Sequence, residues 1–488
     1  MEKIIVSILV IGLLSTSSFA SITALEIDCD KSEELEITVN TNAEPFDGYI
    51  LFTPFWGTNT RLLDKNKKVV QSWFSTSLGL DAYLLENGNL IRPCMTINSY
   101  FPGTGQTGRV EMLSKDGKVL WDFKYSNEQH CLHHDIKPLP NGNIIMTAWE
   151  KKTNDEAISA GHKPTDYTEM WPEHIIEVKP IGSNRGEIVW EWHVWDHLIQ
   201  DYDPTKENYG NVGDHPELID INLAGFLHDD WLHTNSIDYN EEFDQILLSA
   251  YGFDEILVID HSTTTEEAAG HAGGNSGKGG DILYRWGNPQ NYRAGDGHDR
   301  KLLGQHDARW VESGCPGEGH ITVFNNNNPR FSERSSVDEI VPPVDENGNY
   351  DLESGSAYGP EEPIWSIISE EQYNFFSRHY SGAQRLPNGN TLICNGESGH
   401  FFVVTPDKKL VWDKKLVWDI RVPPYFFKMS YYPPDYPGIS DLSIDIKSSQ
   451  ISSFSSQPST TQQSAPATTT FATTTTTSKS PINLLASR

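Results

Sequence analysis

Basic side chains are scarce in this chain: 37 Lys and Arg stand against 68 Asp and Glu, a formal net charge of −31 at pH 7. A field of that sign repels phosphate backbones and anionic lipid surfaces within about a Debye length, so nucleic acid and membrane surfaces are excluded as partners. An anionic ligand is admitted only where a local cluster of Arg, Lys, His or backbone N–H groups reverses the field inside a cleft. Cysteine is also sparse. The five, Cys29, Cys94, Cys131, Cys315 and Cys394, lie far apart with no C-x-x-C pair, which removes zinc-ribbon and thioredoxin-type readings. Long apolar runs are missing after the first, Ile4 to Leu14, which follows Lys3 and precedes a small-x-small site at Ser18-Phe19-Ala20. Residues 1–20 therefore read as a secretory signal peptide. The mature chain is expected to be secreted or periplasmic, with no membrane span and with at most two disulfides among its five cysteines.

What is present points to strands. The 38 Gly, 28 Pro and 14 Trp argue against a helical bundle, while 37% hydrophobic and 11% aromatic residues suffice for a large core. A short apolar strand ending on Trp recurs at Val70 to Trp73, Val119 to Trp121, Ile188 to Trp190, Ile282 to Trp286, Ile364-Trp365 and Leu410 to Trp412. Upstream strands are predicted at Gly108 to Leu113, His174 to Val178 and His400 to Val404, and a hairpin turn repeats as Asn87-Gly88-Asn89, Asn141-Gly142-Asn143 and Asn388-Gly389-Asn390. The repeating unit is thus a four-stranded antiparallel sheet. The intervals from Trp73 to Trp121 and from Trp365 to Trp412 fit propeller blades of about 40–50 residues, and the longer ones leave room for insertions. The fold class expected is all-β, a six-bladed β-propeller over residues 48–437, with Phe426 to Tyr432 returning to complete the first blade. Residues 21–47 form an N-terminal extension, and 438–488 a disordered Ser/Thr-rich tail that cannot bury a core. Lys408 to Asp413 is repeated at once as Lys414 to Asp419, and either copy could serve as the last outer strand.

Histidines mark the candidate site. His134, His233 and His306 each open an innermost strand, and the same register in three blades would gather three imidazoles on one axis. Taken singly, each could merely cap a turn. The last blade offers His379 and, one strand later, His400. A ring of imidazoles could hold a transition metal, but the neighbouring Asp135 and Asp307 suit the orienting of imidazoles better, so neither a metal nor a cofactor is expected. The loop Gly270 to Gly280 lacks the spacing of a phosphate-binding loop and reads as a flexible insertion. Arg330, just past the strand ending Val323-Phe324-Asn325, would supply the fixed cation that an anionic substrate requires here.

Trp231-Leu-His233-Thr-Asn-Ser236, Ile259 to Thr265, Tyr284-Arg-Trp-Gly-Asn-Pro289, Gln305-His-Asp307, Val323-Phe-Asn325 and Ser381 to Thr391 together resemble the arylsulfotransferases of the PAPS-independent, extracytoplasmic type. The resemblance runs from about Gly48 to Pro437. It implies a sulfotransferase that moves a sulfuryl group from an aryl sulfate donor to a phenolic acceptor through a sulfohistidine. His233 and His306 fall on the family's channel-histidine motifs and Arg330 on its arginine, with His134 as a further substrate contact. The nucleophile belongs in the last blade, where His400 is placed ahead of His379. A non-catalytic secreted propeller that binds a glycan or protein is the alternative. A quinone-dependent dehydrogenase finds no matching motifs.

Overall fold

Three turns of one sequence set the spacing of the strands. In each Asn-Gly-Asn the first Asn side chain accepts the N–H of the third residue, at 3.0, 2.8 and 3.1 Å from Asn89, Asn143 and Asn390. The glycines take φ values of 76°, 84° and 84°, a region costly to any residue with a Cβ, and so the chain reverses within two residues. The computed structural model describes residues 5–6, 25–26 and 44–442, apart from 228, 331–332, 370–372 and 417–424. Ile5–Val6 pairs with Leu25–Glu26. The remainder of the signal-peptide segment, Cys29 and residues 443–488 of the tail lie outside the described residues.

The described protein is nearly all β. Four sheets each hold four antiparallel strands in chain order. The first contains His130–Pro138, Ile144–Glu150, Glu173–Ile181 and Arg185–His193; the second, Thr234–Asn240, Gln245–Ala250, Glu255–Asp260 and Tyr284–Trp286. The third contains His306–Trp310, Ile321–Asn325, Ser336–Ile340 and Trp365–Ile368; the fourth, Gly382–Arg385, Thr391–Asn395, His400–Val404 and Leu410–Lys415. An eight-stranded sheet takes the remaining long strands in a path of seven, with two-residue Tyr83–Leu84 paired to Leu90–Met95 off that path, and divides in two where Gly79 meets Cys94, the single pair joining Val69–Gly79 to Leu90–Met95. One half places Phe426–Tyr432 beside Tyr49–Pro54, so the C-terminal strand completes the sheet begun by the N-terminal one. Of the tandem hexapeptides, the first copy forms the outer strand Leu410–Lys415, and residues 417–419 of the second lie outside the described residues. The fold continues past Pro437 into a short helix, Pro437–Asp441, which buries Ile439.

The repeated tryptophans join one sheet to the next. Trp121 Nε1 donates to Arg185 O, Trp190 to Thr263 Oγ1, Trp286 to Pro360 O, Trp365 to Pro406 O and Trp412 to Lys65 O, all at 2.8–3.1 Å. The first strands of successive sheets are joined in the same way: Ile237 N–H donates to Asp135, Ala308 N–H to Ser236, Ala383 N–H to Asp307 and Tyr431 N–H to Gln384. Leu84 N–H to the Tyr432 hydroxyl and the Tyr83 hydroxyl to Asp135 complete the circuit of first strands. Apolar side chains fill the space between the two halves of the eight-stranded sheet, among them Leu51, Leu62, Trp73, Leu84 and Leu90.

Two expectations need correction. The four described cysteines are free and buried, so none of them forms a disulfide. Cys94, Cys131 and Cys394 stand on strands of different sheets, and burial pushes the thiols of Cys94 and Cys131 up to about 12 and about 11. The Gly270 to Gly280 loop is pinned rather than loose: Ser276 N–H donates to Asp260, Asn275 N–H to Ser262, and Gly280 O accepts from Trp192. Among the described residues no helix is long and apolar enough to cross a membrane.

Candidate active site

The first strands of the sheets carry strained backbone near their starts or, in the first sheet, in mid-strand: His134 does not open its strand, as the sequence suggested, but lies at the break in register between Leu132 and Ile136 of His130–Pro138. His134, His233 and Asp307 have φ values of 47°, 52° and 53°, and Tyr380 and Ser381 have 60° and 86°. Left-handed conformations in residues with a Cβ cost on the order of 1–2 kcal/mol each and persist only where surrounding structure imposes them. A kink of this kind near the same end of successive first strands accompanies the convergence of their side chains. The His134 and His233 rings lie 4.5 Å apart, and both His233 and His306 contact the Tyr251 ring, at 5.3 and 5.4 Å. Phe226 stands 4.1 Å from His233, while Phe427 faces both His134 and His306. His134, His233 and His306 are thus collected among aromatic faces.

Hydrogen bonds fix each ring. His233 Nδ1 lies 2.6 Å from Asp230 Oδ2, and Asp230 Oδ1 accepts the indole N–H of Trp149 at 3.0 Å. A carboxylate at Nδ1 leaves Nε2 of His233 to exchange protons or electron pairs, since among the described residues it has no partner. His306 is held by Asn326, whose amide nitrogen donates to Ser377 O and Tyr380 O, so its Oδ1 must accept from His306 Nδ1 at 2.8 Å. Tyr380 N–H then donates to His306 Nε2 at 3.2 Å. Burial, only partly offset by the Asn326 bond, pulls His306 down to about 3, so its imidazole is neutral at neutral pH. His134 is also held well below the usual imidazole range, first by burial and then by His233, His133 and His306. Gly105 lies against it, where a Cβ would fall 2.1 Å from His134 Nε2.

One residue along from His134 and His306, Asp135 and Asp307 converge with Asp81 on buried Lys428, whose Nζ lies 2.6, 3.6 and 3.8 Å from them. Arg309 Nε adds a 2.7 Å contact to Asp307. These cations are matched by carboxylates and are not free for a ligand.

The two candidates of the fourth sheet are placed differently. His400 lies on that sheet's third strand, its Nε2 bonded to Asp413 and its ring stacked 4.9 Å from Phe402, with no contact to the three gathered rings among the described residues. His379 precedes the kinked Tyr380 that bonds His306, and a charge on it is felt at His306. It is 56% exposed, with Nδ1 on Glu397 at 3.0 Å, which leaves Nε2 open. Of the two, His379 lies next to the gathered rings and His400 does not. Arg330 is not directed at the rings by any described contact; its guanidinium pairs with Glu362 at 2.7 Å, and both side chains are about half exposed. Asp230, Trp149, Asn326, Tyr251, Phe226 and Glu397 escaped the sequence reading. Only Asp230, three residues before His233 in Asp229-Asp-Trp-Leu-His, carried a local signal.

The family model described as Arylsulfotransferase (ASST) matches residues 98–415, a span holding all six histidine and arginine candidates. No curated protein matches the chain. Similar solved structures include a protein of unknown function from Bacteroides caccae, at 12% identity and TM-score 0.41 over 79% of this chain and 98% of that one. Another is virginiamycin B lyase from Staphylococcus aureus, at 9% identity and TM-score 0.34 over 78% and 88%. A third, AztD from Citrobacter koseri, has 10% identity and TM-score 0.35 over 79% and 98%.

Proposed function

Because the chain belongs to the arylsulfotransferase family, we propose that it moves a sulfuryl group from an aryl sulfate ester to a phenol by way of a sulfohistidine, outside the cytoplasm. The observation that carries the reading is the gathering of His134, His233 and His306 among aromatic faces, with His379 beside them. Neutral imidazoles suit this chemistry, since an N lone pair can attack sulfur and leave again at neutral pH. We read the six four-stranded units, four sheets and the two halves of the fifth, as the blades of a propeller, supported by the tryptophan and first-strand bonds that link each to the next.

His379 acts as nucleophile. Its Nε2 forms a bond to sulfur as the sulfur–oxygen bond of the donor breaks and the electron pair leaves on the phenolate oxygen. His233 acts through Nε2 as the acid that gives that oxygen its proton, with Asp230 holding the ring at Nδ1. In the second half-reaction His233 Nε2 takes the proton of the acceptor phenol, the phenolate attacks sulfur, and His379 departs. Glu397 at Nδ1 of His379 steadies the positive charge of the N-sulfo imidazole. Tyr251, Phe226 and Phe427 offer flat apolar faces to the aryl ring. Arg330 turns from Glu362 to the sulfate oxygens; an exposed ion pair of this kind is worth about 0–1 kcal/mol, little enough to be exchanged for a charged ligand. The test is release of 4-nitrophenolate from 4-nitrophenyl sulfate by the purified chain. Sustained release that depends on an added phenol supports transfer, and no release with any phenol overturns it.

A further inference from the structure

Away from the gathered rings, one face of the first sheet collects an unusual set of side chains at one end. Antiparallel register sets His130 opposite Glu150 and His174 opposite both Ala148 and His193. Side chains alternate faces with period two, so Glu191 shares the face of His193, Glu150 that of Ala148, and His130 that of Leu132 opposite Ala148. Three imidazoles and two carboxylates from four strands therefore point the same way.

Their atoms are close. Nε2 of His174 lies 3.1 Å from Glu191 Oε2, and Nε2 of His193 lies 3.8 Å from the same oxygen. Single ligand atoms of His174, Glu191 and His193 all fall within 4.8 Å of one another. A tetrahedral ion with bonds of 2.0–2.1 Å separates its ligand atoms by roughly 3.3 Å, so these groups need only small movements to enclose one. The His130 ring lies 5.7 Å from His174 and 5.2 Å from Tyr125, within reach as a fourth ligand. The His174 and His193 rings are stacked, 4.0 Å apart, and His193, with a quarter of its side chain exposed, has room to turn its nitrogen into the cluster.

We propose that this face is a binding site for a late first-row divalent cation of the zinc class, held by His174, Glu191 and His193 with His130 as fourth ligand. Imidazole nitrogens with one carboxylate form a donor set that such ions prefer. The Nδ1 of buried His174 has no partner, leaving its tautomer free to present Nε2 as a lone pair. Glu150 would serve behind the ion: its Oε1 accepts from Nδ1 of His193 at 3.2 Å, as carboxylates do for metal-bound histidines, while Lys152 holds its other oxygen at 2.8 Å. The ion would clasp the first strand of the sheet to its last.

The second histidine-carboxylate group, His197, His271 and Asp281, makes the comparison. There His197 spends Nε2 on Ala268 O and Nδ1 on Asp281, the same oxygen that His271 uses, so its nitrogens are already engaged.

The test titrates the full-length purified chain, stripped with EDTA, with zinc chloride by calorimetry, and measures retained zinc by elemental analysis. One zinc per chain is expected, bound at least 10-fold more weakly in Glu191→Gln and in His193→Ala and unchanged in His271→Ala. Cobalt chloride should give the intense visible bands of a tetrahedral site in the parent and not in Glu191→Gln. No zinc bound, zinc bound equally by all the variants, or zinc lost only in His271→Ala would overturn the assignment. Glu191 is partly exposed, so Glu191→Gln folds even if His193→Ala does not.

Discussion

Replacing His261 with Asn should flatten the pH dependence of stability on the alkaline side. His261 bridges two sheets: Nδ1 meets Asp244 at 2.6 Å, and Nε2 meets Glu177 at 3.1 Å. Glu177 also accepts from Asn141 and Asn143 of the second Asn-Gly-Asn turn, and the Tyr239 hydroxyl donates to Asp244, so one imidazolium neutralises a pair of fixed carboxylates. Burial alone would lower the His261 pKa, but the bonds to Asp244 and Glu177 outweigh it and raise the value to about 9. A raised folded-state pKa gives stability that is fully present below the unfolded value near 6.5 and is lost as pH rises through about 9. A shift of that size at about 1.4 kcal/mol per unit corresponds to roughly 3 kcal/mol, and with only 9% of the side chain exposed little of it is lost to solvent screening. Denaturant midpoints at pH 6 and pH 9.5 would measure it. The parent should lose stability between them by a few kcal/mol more than His261→Asn does. Equal losses in the two proteins would refute the reasoning.

Trp412→Phe removes the donor to Lys65 O and should cost about 1 kcal/mol, seen as a lower denaturation midpoint with unchanged secondary structure. Asp230→Asn should lower kcat by about 10²-fold or more with little change in KM, because the neutral amide no longer stabilises the His233 imidazolium; equal kcat would show that Asp230 only supports the fold. Thiol titration without reductant should find Cys94, Cys131, Cys315 and Cys394 unreactive in the native chain and reactive after unfolding, since these four are free and buried.

The repeat was readable because five of the six outer-strand tryptophans, all but Trp73, serve the same bond to the next sheet, and each Asn-Gly-Asn the same turn. The gathering of His134 and His306 was readable because each precedes by one residue the aspartate that binds the next first strand, whereas His233, three before the equivalent Ser236, joins them from a different register. The choice between His379 and His400 was not. The sequence put His400 ahead of His379, and the two are told apart in space by Tyr380, which follows His379 and whose N–H reaches His306 across 74 positions of chain. The Lys428 cluster joins three aspartates from separate sheets and left no local pattern. The histidines of the first sheet did leave one, the alternation Glu191-Trp-His193, but its partners His130 and His174 come into line only through strand register. The free cysteines contradict a compartment argument, which says where disulfides can persist but not whether two sulfurs meet.

The central claim, that a histidine beside the gathered rings carries the sulfuryl group, is tested most directly by mass spectrometry of the chain quenched after mixing with 4-nitrophenyl sulfate and no acceptor. The account predicts one added sulfuryl group, on a peptide containing His379, stable to base and lost on addition of phenol before quenching. An adduct on His400, on His233 or His306, or no adduct during active turnover would contradict it.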